Sequence, residues 1–171
     1  DPSALDVQDQ IAALLGPAPF DAVHVEHLRG ACYGLAIRDA APALPVVWDA
    51  VDCISRLFAQ AAREAATPRA RLTARLELAR TRRYEAGLPA RFARTAITSA
   101  ADRDALLALA TAAPGGRAHR PPPPIEVIPN GVDLDHFAPP DHGSVARDPA
   151  TVLFTGKLGY HANVAAAIHL V

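Results

Sequence analysis

The chain has 171 residues, half of them hydrophobic, and a formal net charge of −1. A chain of this size and apolar content buries one core, which excludes a disordered protein, and its charge balance gives no whole-molecule signature of a polyanion binder. No apolar stretch approaches the roughly 20 residues of a membrane-spanning helix, and no signal-peptide pattern opens the sequence.

Residues 3–15 have helical character, with Ile11, Leu14 and Leu15 on one face and Gly16-Pro17 as the stop. Residues 22–26 (AVHVE) read as a short buried strand, and 31–39 as a short helix. Pro42 and Pro45 bracket a loop before a strand at 46–50 (VVWDA). Ile54, Leu57, Phe58, Ala61, Ala62 and Ala65 recur at three- and four-residue intervals and predict an amphipathic helix, which Pro68 interrupts. A second helix is expected over 69–86, ended by Gly87 and Pro89. Residues 95–98 (TAIT) read as a strand, and Ser99 with Asp102 makes a capping-box-like start for a helix over 101–110.

The stretch 111–124 ends in a polyproline run and reads as an exposed loop. Strands are expected at 125–128 and 151–155, separated by a long loop, and a last helix begins near Asn163. Strands alternating with helices predict an open parallel α/β sheet. Apolar runs such as Val46-Val47-Trp48 and Val152-Leu153-Phe154 suit strands buried on both faces. Cys32 and Cys53 form no CxxC pair and no metal spacing, and are expected to be reduced thiols of a cytosolic protein. The chain has no methionine and stops at Val171 inside an apolar helical pattern, so a piece of a longer polypeptide is expected.

The most informative residues are 125–137, IEVIPNGVDLDHF, followed by TVLFTGK at 151–157. A β-branched run stops at Pro129, turns through Asn130-Gly131, and leads across an acid-rich loop to a second apolar run ending in Gly156-Lys157. The order, spacing and residues resemble the domain junction of family-4 (group 1) glycosyltransferases of GT-B fold. The run VVWDAVDCISR, with Asp49, Asp52 and Ser55, resembles an exopolysaccharide-type subgroup of that family. The resemblance implies that 1–136 are the second half of an N-terminal, acceptor-side Rossmann-like domain. It makes 137–150 the interdomain linker and 151–171 the first strand and helix of a C-terminal, donor-binding domain.

The implied activity is retaining transfer of a sugar from a nucleotide-diphosphate sugar to a saccharide or lipid-linked acceptor, in exopolysaccharide or envelope glycan synthesis. No further cofactor, no metal and no nucleic acid is implied. The implied setting is cytoplasmic, with peripheral contact to the inner membrane face as an option. Gly156 and Lys157 match the family's donor phosphate-binding position, and Asn163 stands where many members carry a second base. Asn163 is able either to bond phosphate or to cap its helix, and Lys157 also reads as an ordinary strand-end lysine. Glu26 and His27, at the mouth of the first strand, are the acceptor-side candidates, while His24 within the strand reads as a core histidine. Asn130, Gly131 and Asp133 form the junction loop; Gly131 is expected at positive φ, with Asn130 and Asp133 bonding across the turn. No catalytic residue is assigned. The family's glycine-rich loop and its later glutamate pair are absent from these residues, so this piece alone is expected to be inactive.

Asp52 is placed to cap the helix near Ile54, and Ser99 to cap the one after it. From Arg56 to Arg94 there are ten arginines against three glutamates (Glu64, Glu77 and Glu85). These helices read as a solvated face with Glu–Arg pairs such as Glu77 with Arg80, or as a surface for anionic lipid. Aromatic residues do not interleave with the arginines, which argues against stacking on nucleic acid. The alternative to an enzyme is a Rossmann-like binding module that engages an anionic partner or membrane through that basic face.

Overall fold

The computed structural model describes residues 10–11, 13, 20–65, 67–112, 124–139, 148–159 and 161–170. The helix expected over 3–15 and the loop over 111–124 lie mostly outside them. The chain forms two compact units, Asp1–Gly131 and Val132–Val171.

The first unit is built on four parallel strands in the order β1-β2-β3-β4: β1 Val23–Glu26, β2 Val46–Asp49, β3 Arg94–Ile97 and β4 Ile125–Val127. Register pairs Val23 with Val46, Trp48 with Thr95, and Ile97 with Val127. Helix α1 (His27–Ala40) joins β1 to β2, α2 (Ile54–Glu64) and α3 (Pro68–Glu85) join β2 to β3, and α4 (Ala100–Ala112) joins β3 to β4. Sequential parallel strands with right-handed crossovers place these connections on one face of the sheet.

The burial pattern agrees with that placement. Val46, Trp48, Thr95, Ile97 and Ile125 turn inward and are buried, while His24, Glu26, Arg94 and Glu126 on the other face are exposed. The strands are therefore clothed mainly on one side among the described residues: on the other face the small Ala96 is buried, but Val47, expected to be buried, is only half so.

The core gathers around Trp48, with Ala31, Leu35, Leu88, Phe92, Ile97 and Leu106. The Trp48 and Phe92 rings lie 5.8 Å apart. Helix α1 reaches the sheet through Gly34. A methyl group there would lie 2.8 Å from both Phe92 Cε1 and Val25 Cγ2, whereas at Gly30 the nearest atom would be 3.8 Å away.

The break between α2 and α3 has a local cause. Pro68 takes the first helical position, where no N–H is needed, and Thr67 Oγ1 accepts the Ala70 N–H at 3.2 Å. Glu77 pairs with Arg80 at 3.2 Å on the solvated face, as expected. Glu85 does not belong to that face: it is fully buried, and its carboxylate accepts the N–H groups of Ile54 and Ser55, each at 2.9 Å. The α2 N-terminus is thus capped from 30 residues downstream. Asp52, expected in that role, makes no cap; Cys53 is the N-cap residue and lends no side-chain bond.

Ser99 behaves as the sequence predicts. Its Oγ accepts the Asp102 N–H at 3.1 Å, and its hydroxyl donates to the Asp102 carboxylate. Arg56 reaches across from α2 to the same carboxylate at 3.0 Å. Burial pushes the Asp102 carboxyl up, but the Ser99 hydroxyl and the Arg56 guanidinium outweigh it and hold it below its ordinary 3.8.

The second unit departs from expectation. Residues 151–155 form no strand, and Val152 and Leu153 are 73% and 82% exposed. A strand exists by pairing, and among the described residues of Val132–Val171 there is no second strand to pair with. Helix α5 (His161–Leu170) forms close to where it is expected. No helix among the described residues is long and apolar enough to cross a membrane.

Two outcomes follow from this packing. Gly34→Ala lowers stability in urea unfolding by about 1–3 kcal/mol through overpacking, whereas Gly30→Ala is neutral or stabilising through helix propensity. Asp102 has a depressed folded pKa, so its stabilisation is complete above the unfolded value of 3.8 and is lost as pH falls through the lower folded value. Asp102→Asn therefore lowers the urea midpoint at neutral pH, and its deficit against the parent shrinks as the pH drops below about 4.

Candidate functional site

In an open parallel sheet the carboxyl edge is where loops converge and ligands bind. Here β1 leaves through Glu26 and His27, β2 through Asp49–Asp52, β3 through Thr98–Ser99 and β4 through Ile128–Asn130. Hydrogen bonds run past the strand ends: Ala50 N–H to Ala96 O (2.9 Å), Thr98 N–H to Val51 O (3.0 Å) and Ile128 N–H to Ile97 O (2.9 Å).

The non-glycine residues at positive φ among those described are His27 (60°) and Val51 (62°), and both stand at this edge. For β-branched Val51 the conformation is an outlier. The Asp52 N–H bonds to Ala50 O at 2.7 Å, which makes Val51 the centre of a three-residue γ-turn of the strained kind.

Three bonds hold the turn. Asp49 Oδ1 accepts the Val51 N–H at 3.0 Å, and the Val51 carbonyl accepts both the N–H and, at 2.7 Å, the hydroxyl of Thr98. A cost of about 1–3 kcal/mol persists only where surroundings over-determine the backbone, as these bonds do. At His27 the corresponding tie is the buried Trp48 indole N–H, which donates to the His27 carbonyl at 3.2 Å. Histidine tolerates the left-handed region better than most residues, which explains how α1 starts here without a glycine.

This start corrects the helix expected over 31–39, which begins four residues earlier, at His27. No capping side chain marks the beginning: Glu26 is the N-cap residue and makes no side-chain bond. Glu26 and His27 are both exposed at the edge, and Glu26 stands in register with Asp49 on β2.

His24 is not a core histidine. Its side chain is 56% exposed, and Nε2 lies 3.5 Å from Asp49 Oδ2. One Asp49 oxygen thus braces the strained turn while the other faces an imidazole. This leaves an exposed imidazole beside a carboxylate at the sheet edge, a pair of groups able to bond a hydroxyl. The aspartate-x-x-aspartate-x-x-serine pattern acquires a structural meaning here. Asp49 braces the turn, Asp52 closes it through its N–H, and Ser55 enters α2 with its N–H on Glu85.

Cys53 packs beside Glu85, its thiol 3.8 Å from Oε2. Burial, then the Glu85 charge, pushes the Cys53 thiol up to about 11, so it is an inert neutral group. The Cys32 thiol donates to the Arg29 carbonyl at 3.2 Å within its own helix. Among the described residues no three His, Cys, Asp or Glu side chains gather as a metal site would require.

In the junction loop, Gly131 does not adopt positive φ, and a methyl group there would meet nothing within 4 Å. The turn is made later. Asp133 Oδ1 accepts the N–H groups of Asp135 and His136, each at 3.0 Å, and the Asp133 carbonyl accepts the Phe137 N–H at 2.9 Å. Asp133 therefore bonds across the turn as expected, while Asn130 makes no side-chain hydrogen bond among the described residues.

In the second unit Gly156, Lys157 and Asn163 come together. The Asn163 side-chain amide donates to the Lys157 carbonyl at 3.1 Å, and a methyl group on Gly156 would lie 2.9 Å from that amide nitrogen. The missing Gly156 side chain thus makes room for Asn163, which pins the loop to the start of α5. The Lys157 side chain is left exposed.

A scan against protein-family models returned no match, and a search of curated proteins returned none.

Val51→Gly removes the steric penalty at φ 62° and raises stability in urea unfolding by about 1 kcal/mol, whereas Asp49→Ala, which unties the turn, lowers it. A loss of stability in Val51→Gly would overturn the assignment of strain to this turn.

Proposed function

We propose that the chain is part of a retaining glycosyltransferase of GT-B fold, acting from a nucleotide-diphosphate sugar onto a saccharide or lipid-linked acceptor. The observation that carries the proposal is the junction. The last strand of a parallel sheet runs through Pro129-Asn130-Gly131 into a second compact unit, and the chain divides at Gly131. The motif resembling the family's interdomain passage stands at that division.

Two further arrangements support the reading. Gly156, Lys157 and Asn163 share one loop–helix corner, with the lysine ammonium free to meet a diphosphate and the N-terminus of α5 close in sequence. The carboxyl edge of the first unit offers His24 with Asp49, then Glu26 and His27, a set suited to the hydroxyl groups of an acceptor. Catalysis in this reading rests on positioning the acceptor and stabilising the departing nucleoside diphosphate.

A second reading draws on α3, where Leu72 and Leu76 are 60% and 56% exposed beside a row of arginines. A module binding an anionic membrane surface would use such a face. Salt-sensitive vesicle binding in the absence of nucleotide binding favours that reading.

Calorimetric titration with a panel of nucleoside diphosphates tests the first. Saturable binding is expected for at least one of them, and Lys157→Ala weakens it about tenfold, the equivalent of about 1.4 kcal/mol. No binding across the panel, or binding indifferent to Lys157, overturns the donor-side assignment.

A further inference from the structure

We propose that a pocket on the flank of the first unit, between α2, α3 and α4, binds the phosphate group of a small phosphorylated ligand. The pocket has a volume of about 280 Å³ and lies among Cys53, Ser55, Arg56 and Arg63 of the β2–α2 segment, Arg82 of α3, and Ala105 and Leu109 of α4. It is a different place from the strained carboxyl edge and from the Gly156–Lys157 corner.

The observation that points to a ligand is Ser55. Ser55 is one of the residues around the pocket, it is 2% exposed, and its buried Oγ has no hydrogen-bond partner. Buried hydroxyls are almost always bonded, so an orphan in a residue beside a pocket marks a place where a partner is missing. The partner that fits is set by the charges around it. Arg56, Arg63 and Arg82 all line the same space.

The two carboxylates nearby are already committed. Glu85 is bonded to the Ile54 and Ser55 N–H groups and to the Cys53 thiol, and Asp102 is bonded to Ser99 and Arg56. Arg63 and Arg82 have no carboxylate partner among the described residues. Two guanidiniums and a hydroxyl are donor groups seeking acceptors.

Phosphate answers this better than a carboxylate. Its three terminal oxygens take more donors than two oxygens can, and guanidinium forks match them in pairs. The volume exceeds what the anion alone needs, since one water takes about 30 Å³ of liquid. The alanine and leucine side chains of α4 supply an apolar wall for a small organic group carried by the phosphate. The wall contains no aromatic residue on which a nucleobase would stack.

The test is a titration of the full chain, in chloride buffer of matched ionic strength, with inorganic phosphate, glycerol phosphate, and phosphatidylcholine vesicles with and without phosphatidic acid. Saturable binding is expected for at least one phosphate-bearing probe. Arg63→Gln combined with Arg82→Gln weakens it about tenfold or more.

Ser55→Ala separates a ligand role from a structural one. Removing an unbonded buried hydroxyl leaves the urea midpoint unchanged or raised, while phosphate binding falls. Binding of the soluble probes supports a soluble phosphomonoester. Binding confined to phosphatidic acid vesicles, and lost in the arginine variant, supports a lipid phosphate. No saturable binding of any phosphate-bearing probe, or binding indifferent to the arginine and serine changes, overturns the proposal. The nucleoside diphosphate titration with Lys157→Ala reads a different site, so either proposal fails without the other.

Discussion

A buried carboxylate holds the β2–α2 corner in place. Glu85 ends α3 and spends both oxygens on the first N–H groups of α2. The carboxylate and the helix N-terminus are each costly to bury alone; together they satisfy one another, because the helix presents free donors and partial positive charge where the anion sits. This bond fixes where α2 begins, and so how abruptly the chain must leave β2. Ala50 is fully buried, Cys53 is fully buried and Val51 lies between them. The γ-turn at Val51 is the short path that joins a buried strand end to a helix start that cannot move. The positive φ is a consequence of the cap as much as of the edge.

The same constraint reaches the exposed face. Asp49 is drawn toward the Val51 N–H, and its second oxygen is thereby presented to His24. The sheet leaves these side chains accessible because its parallel strands follow in sequential order, for which the usual right-handed crossovers all lie on one face. Packing on one face and chemistry on the other are the two outcomes of one strand order. Trp48 shows the division within one residue: its ring fills the core beside Phe92, while its N–H steadies the His27 carbonyl at the edge.

Much of this was legible in the sequence, and the exceptions have physical causes. The strands at 46–49 and 94–97 and the helices at 54–64, 68–85 and 100–112 fall within a residue or two of their expected spans, since each has periodicity and a local stop or cap. The start of α1 was not legible, because neither a capping side chain nor a glycine announces it. Glu85 was not legible either. Amid ten arginines it looks like one more partner on a solvated helix, and only the fold brings it to Ile54. His24 looked like a core residue within an apolar run, yet alternation along a strand clothed on one face puts it outside. Two signals could have found the site: the alternation of β1 itself, and a β-branched residue between Ala50 and Asp52 where a turn demanded glycine. The run at 151–155 has the composition of a buried strand, but composition cannot supply the neighbour that a strand requires.

The motif resemblance and the geometry meet most closely at the aspartate-x-x-aspartate-x-x-serine stretch. Asp49 stands at the open carboxyl edge, whereas Ser55 is one of the residues around the flank pocket. Both lie next to the same γ-turn, Asp49 by bracing it and Ser55 in the first turn of the helix it leads into. A ligand group accepted by Ser55 would press on the first turn of α2, whose start is bonded to Glu85 and follows closely in the chain on Val51, whose N–H is bonded to Asp49. The flank and the edge are therefore joined by one short stretch of chain, in which Val51 is the strained residue. A change at either end meets that turn first, which gives the three motif positions a common mechanical role even though their side chains serve different surfaces.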